Sequence, residues 1–561
     1  MKISYRKSNL KWGFYFLCFF AMCICDQQIG SASGEIQLVC PNIVLSILSC
    51  LALSHYPFSC YGRRLFWVLL LPCVAGAGIV FSLKWPETFY PWQLASGTIA
   101  AVLYCCVVIQ TGFAIYSAKR IPGGRHPGMG LLLLLVVCML ISRHDKYNGP
   151  LLCLSVMLIY LTDFTEQEFE GMIKALGGSV AAAFFLFQGL AFVFRPYDNL
   201  RYLGMYANTN INALLYQMVY CVFLSFFCVT ERKKIHVFWR LASFFFACAM
   251  WGFVLLTMCR SAMLGMAVAT LLGFGILLWK QRGEKWLRKG FVYVGGFLLV
   301  TALAFPVVYG AVRYLPPVFH HPIWFMGEYS EDRVHSWDSF DSEKYTDWRD
   351  VLRGNFGMLF LNLSILQISL GQDPGTACLA KEGELTAFAV GKPPVVLCYA
   401  GEDGRGEGEI SPKLPDRSYS VSARFRIYQY YLSQLNLSGH AESENGYQVD
   451  ENYYAPHAHN IILQYAFNYG VPAGVILLLY LAISGIRLFL ACLKGDTEMY
   501  NLLPLLLFTS IATFGMLEVV WRFGQLSHTF ILLLPCFAWR RTGAFGCGSV
   551  SGTDISKKRV C

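Results

Sequence analysis

Long apolar runs separated by short polar segments dominate the chain. The runs are roughly 14 to 24 residues long, and a helix needs about 20 residues to cross the hydrocarbon core of a bilayer. Lipid-facing backbone must be hydrogen-bonded within its own segment, and the runs lack the alternation of barrel strands, so they are predicted to be helices. The predicted spans are 12–25, 41–55, 64–83, 94–117, 129–142, 150–163, 174–194, 211–230, 237–257, 261–279, 290–311, 470–492, 501–520 and 526–539.

One polar stretch, residues 312–458, is far too long to be a simple connection between spans. Its Gly, Pro, Asp and Glu clusters, such as Gly401–Gly408, predict turns, and Ala387–Tyr399 is typical of a short edge strand. The segment Ser422–Leu435 has apolar residues at helical spacing and predicts an amphipathic helix lying over the outer membrane face. The chain is therefore divided into an N-terminal transmembrane bundle (1–311), a loop domain (312–458), C-terminal transmembrane helices (459–540) and a tail (541–561).

Composition and charge give the predicted bundle an orientation. The chain has 561 residues, 56% of them hydrophobic and 14% charged, with a mean hydropathy of +0.47, which is outside the usual range of soluble domains. Alternate short connections and the termini carry about 26 Lys and Arg on one side and about 7 on the other, which predicts cytoplasmic termini and an extracytoplasmic loop. The net charge of +10 is thus explained by topology and does not indicate nucleic-acid binding.

Two polar groups at the outer ends of spans are candidates for chemistry. Arg260, in a sharp turn between two spans, is suited to a phosphate because its guanidinium is always charged and donates two hydrogen bonds at once; alternatively it snorkels to lipid headgroups. His459 is suited to removing a proton near neutral pH; alternatively His459 and Asn460 are a solvated polar entry to the next helix. His457 is a rival for the same role.

Further polar groups are predicted at the same depth, and each has a structural alternative. They are Arg424 and Arg426 on the amphipathic helix, Arg201, Asn208 and Asn210 before the span at 211, and Glu518 and Arg522 after the span at 501. Arg424 and Arg426 are suited to binding phosphate and sugar faces, or alternatively to packing of an interfacial helix. Arg201, Asn208 and Asn210 are suited to glycan binding or to helix capping. Glu518 and Arg522 are suited to lining an acceptor entrance or to forming an ion pair with each other.

The order of these groups resembles the O-antigen ligase and polymerase superfamily over about residues 130–540. The motifs that carry the resemblance are Arg260-x-x-x-Leu264, His459-Asn460 followed by nine residues and Gly470, Arg424-x-x-Ile427-Tyr428, and Arg201-x-x-Gly204 with Asn208 and Asn210. The chain departs from the family in Cys259, where a Ser commonly precedes the Arg, in an enlarged acidic loop, in one extra residue between Gly470 and Gly474, and in a larger number of apparent spans.

The resemblance implies an all-α polytopic membrane protein of about 12–14 helices with a GT-C-like architecture, in the bacterial cytoplasmic membrane. It implies transfer of a polysaccharide from undecaprenyl pyrophosphate to a glycan or glycolipid acceptor hydroxyl, without a metal ion or cofactor. His459 would be the acceptor base, Arg260 and Arg424, with Arg426, would bind the pyrophosphate, and Arg201, Asn208, Asn210, Asn460, Glu518 and Arg522 would contact substrate. Lipid-linked polysaccharide, acceptor and membrane lipid are the implied partners.

Three other interpretations stay open at this point. A polymerase of the same superfamily needs the same donor site and differs only in its acceptor. A lipid-linked oligosaccharide flippase is compatible with fourteen spans, although few charges lie deep within them. An inactive relative that serves as a scaffold is the third. Pairing of Cys378 with Cys398 in the loop is also left open.

Overall fold

The fold is described from a computed structural model of the chain. The structure describes residues 2–25, 34–56, 62–84, 91–118, 127–144, 148–162, 164–194, 197–198, 201–206, 208–283, 285–318, 348–349, 351–352, 355–356, 419–441, 447–450, 453–455, 457–494, 499–518 and 525–537. The predicted turns at Gly401–Gly408, the predicted strand Ala387–Tyr399, the pair Cys378 and Cys398, and Arg522 lie outside the described residues.

Every predicted span overlaps a helix. The helices are α1 (Lys2–Ile24), α2 (Gly34–Leu53), α3 (Arg64–Lys84), α4 (Pro91–Ala118), α5 (Pro127–Ile141), α6 (Asn148–Leu161), α7 (Glu166–Phe194), α8 (Thr209–Arg232), α9 (Val237–Thr257), α10 (Arg260–Lys280), α11 (Trp286–Val318), α12 (Tyr419–Ser433), α13 (Ile461–Tyr469), α14 (Val471–Lys494), α15 (Met499–Gly515) and α16 (Leu526–Leu533). Within the described ranges, seven of them are long and apolar enough to cross a membrane. The chain is a helical membrane protein, as its hydropathy predicts.

Two of the helix boundaries that differ from the apolar runs bear on the structure around them. Helix α7 begins at Glu166, eight residues before the predicted span, because Thr165 and Glu168 form a reciprocal capping box: Thr165 N donates to Glu168 Oε2 (2.8 Å) and Glu168 N donates to Thr165 Oγ1 (3.3 Å). Helix α15 ends at Gly515, before the predicted limit of 520. Glu518 therefore lies in a turn, where its side chain is directed by the turn and not by a helix face.

Helix α8 is the centre of the bundle. Nearly all of its residues are buried, and it packs against α7, α9, α10 and α15. Burying a helix on all sides requires neighbours that approach closely, and Gly265 and Gly273 of α10 provide such positions, since a Cβ added at Gly265 would meet Gln217 of α8. One continuous apolar core joins these helices to α1, α2, α5, α6 and α14.

A small second layer covers one end of the bundle. It consists of α12, the antiparallel hairpin of β3 (Tyr447–Asp450) and β4 (Tyr453–Ala455), and α13, packed around Ile427, Tyr431, Ala455, Ala458 and Phe467. Another short hairpin, β1 (Tyr197–Asp198) with β2 (Arg201–Tyr202), precedes α8. The observed α12 confirms the amphipathic helix predicted at Ser422–Leu435, displaced by two to three residues.

The glycine that ends the His459-Asn460 motif has a steric role in this layer. Gly470 has a φ of +93° and lies so close to the Leu437–Gly439 turn that an added Cβ would stand 2.1 Å from Leu437 O. Gly439, with a φ of +72°, is equally constrained against Asn468 O. Asn460 is the N-cap of α13 and Gly470 is its C-cap, so the length of α13 sets the nine-residue spacing between them.

Candidate functional site

Glu518 connects the other residues of the candidate site, because its carboxylate contacts both Arg424 and His459. One carboxylate oxygen, Oε1, accepts a hydrogen bond from Arg424 Nη2 of α12 at 2.5 Å, and the other, Oε2, lies 3.0 Å from His459 Nδ1. Only 6% of the Glu518 side chain is exposed, against 39% of Arg424 and 22% of His459. The carboxylate is therefore buried and fully occupied, whereas the cation and the imidazole that it holds both reach the surface.

His459 is held in an unusual backbone conformation. Its φ is +49°, in the left-handed region that few residues other than glycine adopt. Hydrogen bonds on both sides maintain it: Tyr428 Oη donates to His459 O (3.1 Å), and Asn460 Nδ2 donates to Met516 O (3.0 Å). An outlier that neighbouring contacts over-determine in this way is typical of a functional site.

Asn460 has the capping role that the sequence allowed as its alternative. Its Oδ1 accepts from Leu463 N at 3.0 Å, which caps α13. The ring of His457 packs edge-on against that of His459, with 4.3 Å between centroids. Of the two histidines, His459 is the one whose ring nitrogen lies at hydrogen-bond distance from the Glu518 carboxylate among the contacts of the described residues.

Arg201 fixes the turn that carries Arg260. Its Nε donates to Thr257 O at 2.8 Å and its Nη2 donates to Asn210 Oδ1 at 2.7 Å, so it joins β2, the end of α9 and the start of α8. Asn208 caps α8 by accepting from Asn210 N at 2.8 Å. These contacts give Arg201, Asn208 and Asn210 a structural function at this end of the bundle.

The start of α10 lies in the same region as Glu518. Burial raises the pKa of the Cys259 thiol to about 11, with the Glu518 carboxylate adding to the rise and Arg201 opposing it. Cys259 thus stays neutral and occupies the N-cap of α10 without a side-chain capping bond. Arg260 follows it directly and is exposed. Since Glu518 and Arg201 both act on Cys259, the start of α10 lies at the same end of the bundle as Glu518 with its partners Arg424 and His459.

Arg426 points elsewhere. Two residues along a helix of 3.6 residues per turn place Arg426 about 200° around α12 from Arg424, and its side chain is exposed. The arginine pair predicted on this helix is therefore split, with Arg424 at the site and Arg426 on the outer face. The position makes Arg426 a natural control for Arg424.

Glu518 gives the site a pH-dependent stability. Burial acts to raise the pKa of its carboxyl, but the hydrogen bond from His459 and the charges of His459, Arg424 and His457 outweigh it and hold the pKa below its ordinary value of 4.5. A lowered pKa in the folded state means that the ionised carboxylate stabilises the fold above about pH 4.5. This contribution is lost as the pH falls through the folded-state pKa.

We expect Glu518→Gln to lower the thermal unfolding midpoint near neutral pH, with the difference from wild type shrinking below about pH 4.5. Melting curves of the purified protein in detergent between pH 3 and pH 7 measure this. Glu170→Gln, an exposed partner of Lys174 in an i,i+4 pair, is a matched control that should change the midpoint little at any pH. A difference in unfolding midpoint between wild type and Glu518→Gln that stays constant from pH 3 to pH 7 would contradict the lowered pKa of Glu518.

Several contacting residues have no counterpart in the sequence prediction. Thr257 contacts Arg201 through its backbone carbonyl, and no side-chain pattern reveals such a contact. Gln464 and Asn468 are polar residues four apart in an apolar helix, and that pattern is a usable signal. Over the described part of the chain, no group of three His, Cys, Asp or Glu side chains is placed to hold a metal ion.

Comparisons with known proteins identify no relative of this chain. No family model matches the chain, and no curated protein or solved structure matches it either.

Proposed function

We propose that this protein transfers a polysaccharide from an undecaprenyl-pyrophosphate carrier to an acceptor hydroxyl at the outer face of a bacterial cytoplasmic membrane. The observation that carries the proposal is the double contact of Glu518 with Arg424 and His459 beside the turn that ends in Arg260. A fixed cation and a fixed imidazole, held by one buried carboxylate, are the two groups that such a transfer requires.

His459 is the proton acceptor in this proposal. An ionised carboxylate only accepts hydrogen bonds, so Nδ1 of His459 carries the proton that faces Glu518 and the neutral ring has its lone pair on Nε2. The acceptor oxygen attacks the anomeric carbon, the bond from that carbon to the phosphate oxygen breaks, and the hydroxyl proton passes to Nε2. Glu518 then faces an imidazolium, whose charge it stabilises.

Arg424 and Arg260 stabilise the leaving pyrophosphate. Arg424 has five N–H donors, and since 39% of its side chain is exposed while one Nη contacts Glu518, the guanidinium stays accessible to a phosphate. Arg260 is exposed at the first turn of α10, where the positive end of the helix dipole adds to its charge. Fixed positive groups at developing negative charge account for a large part of catalysis in many enzymes.

The membrane orientation belongs to the same proposal. The charge asymmetry of the short connections puts residues 312–458 outside the cytoplasm, and α12 with the β3–β4 hairpin covers the bundle on the side where Glu518 lies. Sugars of a lipid-linked donor extend on that side, with the lipid among the helices. A GT-C-like arrangement of 12–14 helices is the architecture that we propose for this binding mode.

Purified protein in vesicles with lipid-linked glycan tests the function, with a separate glycolipid acceptor offered to one sample and only further lipid-linked repeat units offered to another. Glycan on the glycolipid identifies a ligase, and longer lipid-linked chains identify a polymerase. Glu518→Gln should lower either transfer about 10²- to 10⁴-fold, since it removes the charge and permits the wrong imidazole tautomer. Translocation of the lipid without any glycan transfer by wild type would show a flippase.

A further inference from the structure

A chain of hydrogen bonds connects the α5–α6 turn to the backbone beside His459. Ala458 N donates to Gln464 Oε1 (2.7 Å), Gln464 Nε2 donates to Asn468 Oδ1 (2.8 Å), and Asn468 Nδ2 lies 3.1 Å from His144 Nε2. His144 Nδ1 lies 3.3 Å from His440 O. Three contacts therefore run from a residue next to the proposed base to His144, more than 300 positions earlier in the sequence, and a fourth returns from His144 to His440.

The donor and acceptor roles along this series of hydrogen bonds are fixed by the Ala458 amide at one end. A backbone N–H only donates, so Gln464 turns its oxygen to Ala458 and its nitrogen to Asn468. Asn468 then presents its nitrogen to His144, whose Nε2 must accept and whose Nδ1–H donates to the carbonyl of His440. Reversing any member would set two donors or two acceptors against each other, so the chain has a single consistent arrangement.

The residue at the end of this hydrogen-bonded series, Ala458, directly precedes His459. Ala458 is fully buried, and its amide is bonded by Gln464 while the following residue adopts a φ of +49°. Without a bond to the Ala458 amide, the 457–459 segment would lose one of the contacts that oppose relaxation from the left-handed region, beside those of Tyr428 and Asn460. Gln464 itself is buried to about nine-tenths and lies on the first turns of α13, so it is a rigid support.

The far end of the chain is also anchored. Arg143 N donates to Ser438 O at 3.1 Å, the ring of His144 packs edge-on against Tyr469, and the ring of His440 stacks on Phe467 with 4.1 Å between centroids. The α5–α6 turn is thereby joined to the Leu437–Gly439 turn and to α13. Movement at His144 is transmitted to Gln464 through directional bonds and not only through packing.

We propose that His144, Asn468 and Gln464 are positioning residues that set the imidazole of His459 for proton transfer. Their action is on the backbone at Ala458, and none of them needs to touch substrate. The inference rests on the proposed function for its effect on catalysis, but it also states how the 457–460 segment is ordered, which is measurable without any substrate.

Two variants of Gln464 separate positioning from folding. Gln464→Leu is similar in volume and removes both bonds, whereas Gln464→Glu keeps an acceptor for the Ala458 amide. Gln429→Leu, on an exposed position of α12, is the matched control. Hydrogen–deuterium exchange of the full-length protein should show exchange of the peptide around Ala458 about tenfold faster or more in Gln464→Leu, with most of the protection retained in Gln464→Glu.

Kinetics give the second readout. Gln464→Leu and His144→Ala should lower kcat about 10- to 100-fold with KM nearly unchanged, because misplacement of a reacting group affects the chemical step. Unchanged exchange at Ala458 in Gln464→Leu overturns the positioning inference whatever the activity. Faster exchange with full kcat overturns its catalytic part, whereas full transfer by His459→Ala would overturn the proposed function instead.

Discussion

Replacing His459 with alanine is expected to lower the rate of glycan transfer about 10²- to 10⁴-fold, the usual contribution of a general base. The loss should be in kcat, because Nε2 acts on the acceptor proton in the transition state. Single-turnover transfer by purified protein, with donor bound before acceptor is added, measures the chemical step directly.

His457→Ala is the matched control for this variant. The two rings pack together at 4.3 Å, so both substitutions remove a neighbouring aromatic surface, but within the described part of the chain it is His459 whose Nδ1 lies 3.0 Å from Glu518 Oε2. We therefore expect His457→Ala to retain transfer within a few-fold. Equal losses in the two variants would mean that the imidazole of His459 has no special role.

The second large effect is expected at Arg424. Arg424→Ala should reduce transfer about 10²- to 10³-fold, as is found when one donor to a developing negative charge is removed. The same change deprives the buried Glu518 of one of its two partners. Arg424→Lys separates these roles, because a lysine keeps the charge near Glu518 but lacks the planar fork that binds a phosphate with two hydrogen bonds.

Arg426→Ala, on the outer face of the same helix, should leave transfer nearly unchanged. Rates for the three variants at saturating acceptor, together with their unfolding midpoints, separate phosphate binding from helix packing. Recovery of full activity by Arg424→Lys would show that a positive charge beside Glu518 is sufficient and that two hydrogen bonds from a guanidinium are not required. A large loss in Arg426→Ala would place the phosphate on the other face of α12.

The helices were predictable because their driving force is local. A uniformly apolar run in lipid has no alternative to hydrogen bonding within itself, so each of the runs overlaps a helix, and α1, α2, α7 and α11 extend seven to ten residues beyond their runs at one end. Helix α9 begins and ends at the predicted residues, 237 and 257. The amphipathic helix α12 was predictable for a related reason, since its apolar spacing matches the helical period.

The site was predictable only in its members and not in its connections. Arg424 and His459 were identified from residue type and motif, but Glu518 lies 94 and 59 residues away from them, and pairings across such distances are decided by helix packing. The separation of Arg424 from Arg426 follows from the helical period, which places residues two apart on different faces of a helix. The early end of α15 at Gly515, which frees Glu518 to bridge them, has no strong signal in an apolar run.

The short helices have a consequence for the surrounding lipid. Helix α5 has 15 residues and α6 has 14, which corresponds to roughly 21 to 23 Å of helix against about 30 Å of hydrocarbon. Such mismatch is relieved by local thinning of the bilayer or by tilting and snorkelling of neighbours. His144 follows α5 and belongs to the proposed support of the His459 imidazole, so we expect lipids of different acyl length to alter the position of that imidazole.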